Sequence, residues 1–188
     1  IFYKDKYKPN AKIIIFKKLE SHKYFDDFQK FYKEAFIIFL TRDPRAVYSS
    51  SINLKHSISG KFFFDNIFDI SIKWNAFSKA IFKSNFLKNK NAKIIKYEYM
   101  IENFNESILS LLNFFGLKNI EIKKNLEFLN NKKKNQLIFE NDRHLHHNVK
   151  KNIMQNNNYK WINKMSFLNR LSIFILCFYY MGKFKYKF

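Results

Sequence analysis

The sequence predicts an α/β protein in which a parallel sheet is flanked by helices. Residues 13–16 and 36–40 are unbroken apolar runs, typical of strands that are buried on both faces of a parallel sheet. The segment between them, 24–33, carries an apolar stripe at helical spacing, so the three elements form a βαβ unit with a right-handed crossover. The carboxyl ends of the two strands should therefore lie side by side, where open parallel sheets bind their ligands.

Length and composition are those of one folded domain, spanning 1–188. Hydrophobic residues make up 47% of the chain, which excludes a disordered polypeptide. The 35 Lys and Arg against 15 Asp and Glu give a net charge of +20, which favours anionic partners, although a drift of the genome towards A/T-rich codons explains the same excess of Lys. The one cysteine, Cys177, excludes an internal disulfide and lies in an apolar helical pattern typical of a core.

The stretch 36–50 joins a predicted strand to a predicted helix. Asp43 is a good N-cap, and Pro44 suits the first helical position because it lacks only a donor that the helix does not need there. Ser50 shares a helix face with Asp43 by the i, i+7 spacing, and an extended Arg42 side chain lying along that face would bring a guanidinium and a hydroxyl to one anion. The alternative is an ordinary strand-to-helix turn with solvated arginines.

The later elements follow from periodicity. Residues 65–86 have an aromatic and aliphatic stripe typical of a core-facing helix, and 91–98 read as a further strand. A helix that starts near Asn105 should end at Gly116, which suits the left-handed conformation after a helix. Residues 161–165 and 168–181 predict two terminal helices. The longest apolar run, 171–181, is shorter than the roughly 20 residues that span a bilayer, so no transmembrane span is expected in these residues.

The segment after the apolar strand resembles the 3′-phosphate-binding motif of sulfotransferases, most of all that of the carbohydrate sulfotransferases. Its sequence is Arg-Asp-Pro-Arg-Ala-Val-Tyr-Ser-Ser. The resemblance implies a P-loop-containing nucleotide hydrolase-like fold. It also implies 3′-phosphoadenosine 5′-phosphosulfate as cosubstrate, and a hydroxyl or amine acceptor, expected to be a carbohydrate. In the family the first Arg and the Ser eight residues later hold the 3′-phosphate, which assigns that role to Arg42 and Ser50.

Two further segments are similar to the same family. Tyr97 would lie near the adenine, and Glu98 beside it would be structural. Residues 147–155 resemble a segment that closes over the nucleotide, with Lys150 and Lys151 standing where the family has glycines and offering charge instead.

The stretch before the 3′-phosphate motif commonly supplies groups near the acceptor. This implies Lys17 facing the sulfonate and either Glu20 or His22 as the base that accepts the proton of the acceptor. The alternative is that Glu20 or His22 only caps or solvates the start of a helix.

The sequence also predicts two absences. His144, His146 and His147 lack a paired Cys or carboxylate at zinc spacing, so no metal is expected. No Gly-rich phosphate loop precedes residues 13–16, so we expect a domain without its first strand and that loop, either truncated or degenerate, with weak or absent turnover. The alternative function is a catalytically inactive basic protein of the same fold that binds an anionic surface or polyanion. No specific nucleic acid is expected, and the location would be cytoplasmic or, with an upstream anchor, the Golgi membrane.

Overall fold

The computed structural model describes residues 25–117, apart from 53, 56–59, 61 and 89, and residues 158–188. The elements in this part of the chain, in order, are α1 (Phe25–Phe31), β1 (Ile37–Thr41), α2 (Pro44–Ser51), α3 (Ile67–Lys83), α4 (Asn85–Lys88), β2 (Ala92–Lys96), α5 (Tyr97–Glu102), α6 (Phe104–Phe114), α7 (Lys160–Lys164) and α8 (Phe167–Lys183). Several sequence predictions lie outside the described residues: the strand 13–16 and the residues Lys17, Glu20, His22, His144, His146, His147, Lys150 and Lys151.

Strands β1 and β2 pair in parallel, from Ile37 opposite Ala92 to Thr41 opposite Lys96. The connection between them carries α2, α3 and α4, as a parallel pairing requires of its crossover. The predicted strand 36–40 is confirmed with a shift of one residue. The predicted strand 91–98 is too long, because Tyr97 already begins α5.

The predicted start of α2 is confirmed. Asp43 is its N-cap, and the Asp43 Oδ1 atom accepts a hydrogen bond of 2.9 Å from the backbone N–H of Arg45. Pro44 occupies the first turn, where its missing N–H leaves no helical bond unmade.

The core lies between α3 and α8 on one face of the strand pair. Ile70, Trp74 and Ile81 of α3 are buried, as the stripe predicted, and pack with the buried Ile173 and Cys177 of α8, among others. Burying a large apolar side chain contributes roughly 1.5–3 kcal/mol, so these contacts supply much of the stability of this layer. Burial also raises the pKa of the Cys177 thiol to about 11, in keeping with its predicted place in the core.

Two other predictions concern helix ends and lengths. Gly116 has a φ of 69° and follows the end of α6, so the predicted glycine stop is confirmed. The terminal helices predicted at 161–165 and 168–181 are α7 and α8. None of the helices in the described ranges is both long and apolar enough to cross a membrane.

Candidate functional site

The carboxyl ends of β1 and β2 bring two of the sequence-predicted residues together. Because Thr41 is paired with Lys96, Arg42 and Tyr97, the residues that directly follow the two strands, leave the sheet side by side. The guanidinium carbon of Arg42 lies 4.7 Å from the centre of the Tyr97 ring. A cation held against an aromatic face is attracted by the electron density of the ring, so Tyr97 orients Arg42.

Arg42 is anchored by its backbone and has side-chain donors to offer. The indole N–H of Trp74 donates a hydrogen bond of 3.0 Å to the Arg42 carbonyl. Among the described residues, the buried Nε atom of Arg42 has no hydrogen-bond partner. Buried donors almost always have a partner, so a cationic donor without one at the end of a parallel sheet is suited to an anionic ligand.

Ser50 lies in the last turn of α2, and its side chain is exposed. Its hydroxyl donates a hydrogen bond of 2.9 Å to the carbonyl of Val47, one turn earlier. A hydroxyl proton rotates freely between acceptors, so this bond does not prevent Ser50 from donating to a ligand. The joint role of Arg42 and Ser50 in holding a phosphate stays a prediction.

Arg45 has very different surroundings from Arg42. It is 2% exposed, its Nη2 donates to Asp43 Oδ2 over 2.7 Å, and its guanidinium carbon lies 4.4 Å from the centre of the Trp161 ring. The same Nη2 also donates to the carbonyl of Lys187. The interpretation of this turn as one with solvated arginines is therefore wrong for Arg45, which is ion-paired inside the protein.

Glu98 connects the two strand ends to the last residues of the chain. Its Oε1 atom accepts a hydrogen bond of 2.9 Å from the backbone N–H of Asp43, and its Oε2 atom accepts one of 3.1 Å from the Tyr186 hydroxyl. The side-chain amide of Asn158 donates to the Glu98 carbonyl over 3.2 Å. These bonds give Glu98 the structural surroundings that the family resemblance implied.

Burial, reinforced by the nearby Glu98 carboxylate, raises the pKa of Tyr186 well above its usual range. The phenol therefore stays protonated and keeps donating to Glu98 at physiological pH. Trp161, Asn158 and Tyr186 were not identified from the sequence, because no local motif marks a residue whose partner is distant along the chain.

A cavity of about 470 Å³ lies on the side of Arg45 and Glu98. Its lining includes Asp43, Arg45, Lys96, Glu98, Arg170 and Tyr186, and it does not include Arg42, Ser50 or Tyr97. The carboxylates of Asp43 and Glu98 and the guanidinium of Arg45 already bond to protein groups. This cavity is thus bounded in part by structural contacts, although Arg170 in its lining, like Arg42 outside it, has a buried Nε atom without a hydrogen-bond partner among the described residues. The described part of the chain has no group of three or more His, Cys, Asp or Glu side chains that could hold a metal ion.

The described structure is that of an α/β protein with a small parallel sheet whose carboxyl edge presents an arginine suited to an anion. The sulfotransferase family model matches residues 2–121, nearly two thirds of the chain. The chain therefore belongs to the sulfotransferase family, whose general chemistry is the transfer of sulfonate groups. The matched range includes Arg42, Ser50 and Tyr97, whereas Lys150 and Lys151 lie beyond it. No curated protein and no solved structure matches the chain.

Proposed function

We propose that this chain transfers a sulfonate group from 3′-phosphoadenosine 5′-phosphosulfate to a hydroxyl or amine of an acceptor, and that the acceptor is a carbohydrate. The observation that carries the proposal is the Arg42 guanidinium at the sheet edge, held over Tyr97 with a buried Nε that lacks a partner among the described residues. The proposal extends to the fold, which would be that of the P-loop-containing nucleotide hydrolases.

The geometry suits the non-reacting end of this cosubstrate. A guanidinium presents a planar fork of donors that matches the oxygens of a phosphate, so Arg42 would hold the 3′-phosphate. The Tyr97 ring beside it would flank the adenine, since an aromatic face stacks on a base. Ser50 would add a hydroxyl donor from the last turn of α2.

Groups for the reacting end are proposed from residues outside the described structure. The acceptor oxygen attacks sulfur, the bond from sulfur to the bridging oxygen of the 5′-phosphate breaks, and 3′-phosphoadenosine 5′-phosphate leaves. Glu20 or His22 would take the proton of the acceptor. Lys17 would stabilise the charge on the sulfonate, and Lys150 or Lys151 would add positive charge around the nucleotide.

The test is calorimetric titration with 3′-phosphoadenosine 5′-phosphate. We expect binding by the wild type and a loss of roughly 10- to 150-fold in affinity for Arg42→Ala, the equivalent of about 1.5–3 kcal/mol for a charged hydrogen-bonding partner. Arg42→Lys should recover part of the loss, because it keeps the charge without the fork. Ser50→Ala should weaken binding by a smaller factor.

Two controls separate a specific site from general attraction to a basic protein. Lys79→Ala removes one charge from an exposed position on α3, and it should leave the affinity unchanged. Adenosine 5′-phosphate lacks the 3′-phosphate, so Arg42→Ala should hardly change its binding. Equal binding of 3′-phosphoadenosine 5′-phosphate by the wild type and Arg42→Ala would contradict the proposed site. Equal losses in Arg42→Ala and Lys79→Ala would favour the inactive, polyanion-binding alternative.

A further inference from the structure

Helix α8 is apolar on both of its sides. Its inner side, with Ile173, Cys177 and Met181, is buried in the core. Its outer side is also apolar: Leu168 is 71% exposed, Ile175 is 63% exposed and Tyr179 is 62% exposed. Soluble helices normally place polar residues opposite the core, and a helix that is apolar all round is typical of one that is covered on both sides.

Helix α3 widens this apolar surface. Phe68 and Ile72 of α3 are exposed, and the Asn75 side-chain amide donates a hydrogen bond of 2.8 Å to the Leu176 carbonyl, which joins the two helices side by side. We call the combined surface the α3–α8 outer face; its apolar members are Phe68, Ile72, Leu168, Ile175, Phe178 and Tyr179. Large exposed apolar patches mark surfaces that bind a partner or a membrane.

The charges on the α8 part of this face have one sign, whereas on α3 the acidic Asp69 lies beside Phe68 and is paired with Lys73 over 2.9 Å. Every charged residue from 158 to 188 is a Lys or Arg. The Lys183 ammonium lies 4.9 Å from the centre of the Tyr179 ring and 5.0 Å from that of Phe82, so a cation borders the apolar surface directly. On α3, Lys79 and Lys83 are exposed. The occupant of this face must therefore offer both apolar and anionic groups.

We propose that the α3–α8 outer face docks on the surface of an anionic lipid bilayer. Because the inner side of α8 is fixed in the core, the helix lies parallel to the membrane plane, with Leu168, Ile175 and Phe178 entering the boundary between headgroups and acyl chains. Tyr179 is amphipathic and suits the headgroup level. The bordering lysines contact lipid phosphates, and the negative potential of an anionic surface attracts each of them.

A second copy of the chain is a poorer occupant. Apposing two such faces would bring Lys79, Lys83 and Lys183 of one copy against the same lysines of the other, and like charges across an interface disfavour association. Each copy also carries a net charge of +20, which adds repulsion at long range. An anionic lipid surface complements both the apolar and the charged parts of the face.

The experiment is cosedimentation with vesicles of phosphatidylcholine alone and of phosphatidylcholine mixed with phosphatidylglycerol. The wild type should bind the mixed vesicles and bind the neutral ones much less. Ile175→Asp and Tyr179→Asp should each weaken binding about tenfold or more, because a carboxylate must then enter the lipid boundary. Leu109→Asp is the matched control, since Leu109 is an exposed leucine on α6, and it should bind as the wild type does.

A second arm tests the charges. The variant Lys79→Gln/Lys83→Gln/Lys183→Gln should lose affinity for mixed vesicles while keeping the apolar face intact. Raising the salt from 0.1 to 1 M shortens the screening length from about 10 Å to about 3 Å and should release the wild type. Circular dichroism of each variant shows whether it is folded.

Three results would overturn the proposal: no binding of the folded wild type to mixed vesicles, equal losses in Ile175→Asp and Leu109→Asp, or sedimentation velocity showing a dimer that Ile175→Asp dissociates. The last would assign the face to self-association. None of these results depends on nucleotide binding, so they leave the proposed function to its own test.

Discussion

Arg42 and Arg45 lie three residues apart in one turn, yet their guanidinium groups have opposite surroundings. Arg45 is enclosed by Asp43, Trp161 and the carbonyl of Lys187, so its charge is neutralised and its main donors are used. Arg42 lies over Tyr97 and has a buried Nε without a partner in the described part of the chain. One side of the strand ends is thus built for stability, and the other holds the cation for which we propose a ligand.

The largest expected effect is a loss of unfolding free energy at the Arg45 side of the strand ends. Arg45→Ala leaves the buried Asp43 carboxylate without its partner, and breaking a buried pair in this way typically costs about 3–5 kcal/mol in the free energy of unfolding. Arg42→Ala removes a cation–π contact worth about 0.5–1 kcal/mol at a partly exposed site. Urea unfolding followed by far-ultraviolet circular dichroism measures both variants. If Arg45→Ala and Arg42→Ala lose similar amounts of unfolding free energy, the distinction between the Arg45 side and the Arg42 side is wrong.

An intermediate effect is expected on ligand binding at the Arg42 side. Tyr97→Leu removes the ring under Arg42, and it should weaken binding of 3′-phosphoadenosine 5′-phosphate by about 0.5–2 kcal/mol, which calorimetry resolves. Tyr97→Phe keeps a ring and should bind almost as the wild type does. Tyr99→Leu, which changes an exposed tyrosine on the same helix α5, is the matched control. A loss of the same size in Tyr99→Leu would assign the effect to α5 as a whole.

The smallest effect is expected at the hydrogen bond from Tyr186 to Glu98. Tyr186→Phe removes it and should lower the free energy of unfolding by about 0.5–1.5 kcal/mol at neutral pH, without changing nucleotide affinity.

The same variant should change the dependence of stability on pH. Burial raises the pKa of Tyr186 above its ordinary value of 10.0, so above about pH 10 the unfolded chain releases this proton while the folded protein retains it. Unfolding is therefore favoured as the pH rises, and the stability of the wild type should fall more steeply above pH 10 than that of Tyr186→Phe. Parallel curves would show that Tyr186 does not contribute to the slope.

Local signals in the sequence predicted the elements that carry the site. Asp43 and Pro44 fixed the start of α2, the apolar stripe fixed the buried side of α3, and Gly116 marked the end of α6, because each of these depends on neighbours within one or two helical turns. The end of β2 was placed too late for a related reason. Lys96 is the N-cap of α5 and makes no side-chain capping bond, so the sequence has no capping residue that marks where this helix begins.

The surroundings of each side chain at the site could not be predicted in the same way. Besides its neighbour Asp43, Arg45 is enclosed by Trp161 and Lys187, which are more than 100 residues away along the chain. The contact of Arg42 with Tyr97 depends on the register of β1 against β2, and a single sequence does not specify which residues pair across a crossover. The sequence-derived roles of Arg42, Ser50 and Tyr97 stay predictions until ligand binding is measured.

The pairing of Thr41 with Lys96 constrains how this sheet edge can change in evolution. Substitutions within β2 keep Tyr97 at the level of Arg42, because they leave the number of residues unchanged. Deleting a single residue between 92 and 96 would bring Glu98 to that level and turn the later side chains of β2 to the opposite face of the sheet. The connection between the strands can lengthen at little cost, since loop-closure entropy grows slowly with length. Relatives that keep this edge should therefore vary freely in chemistry and loop length while holding the count of residues in both strands fixed.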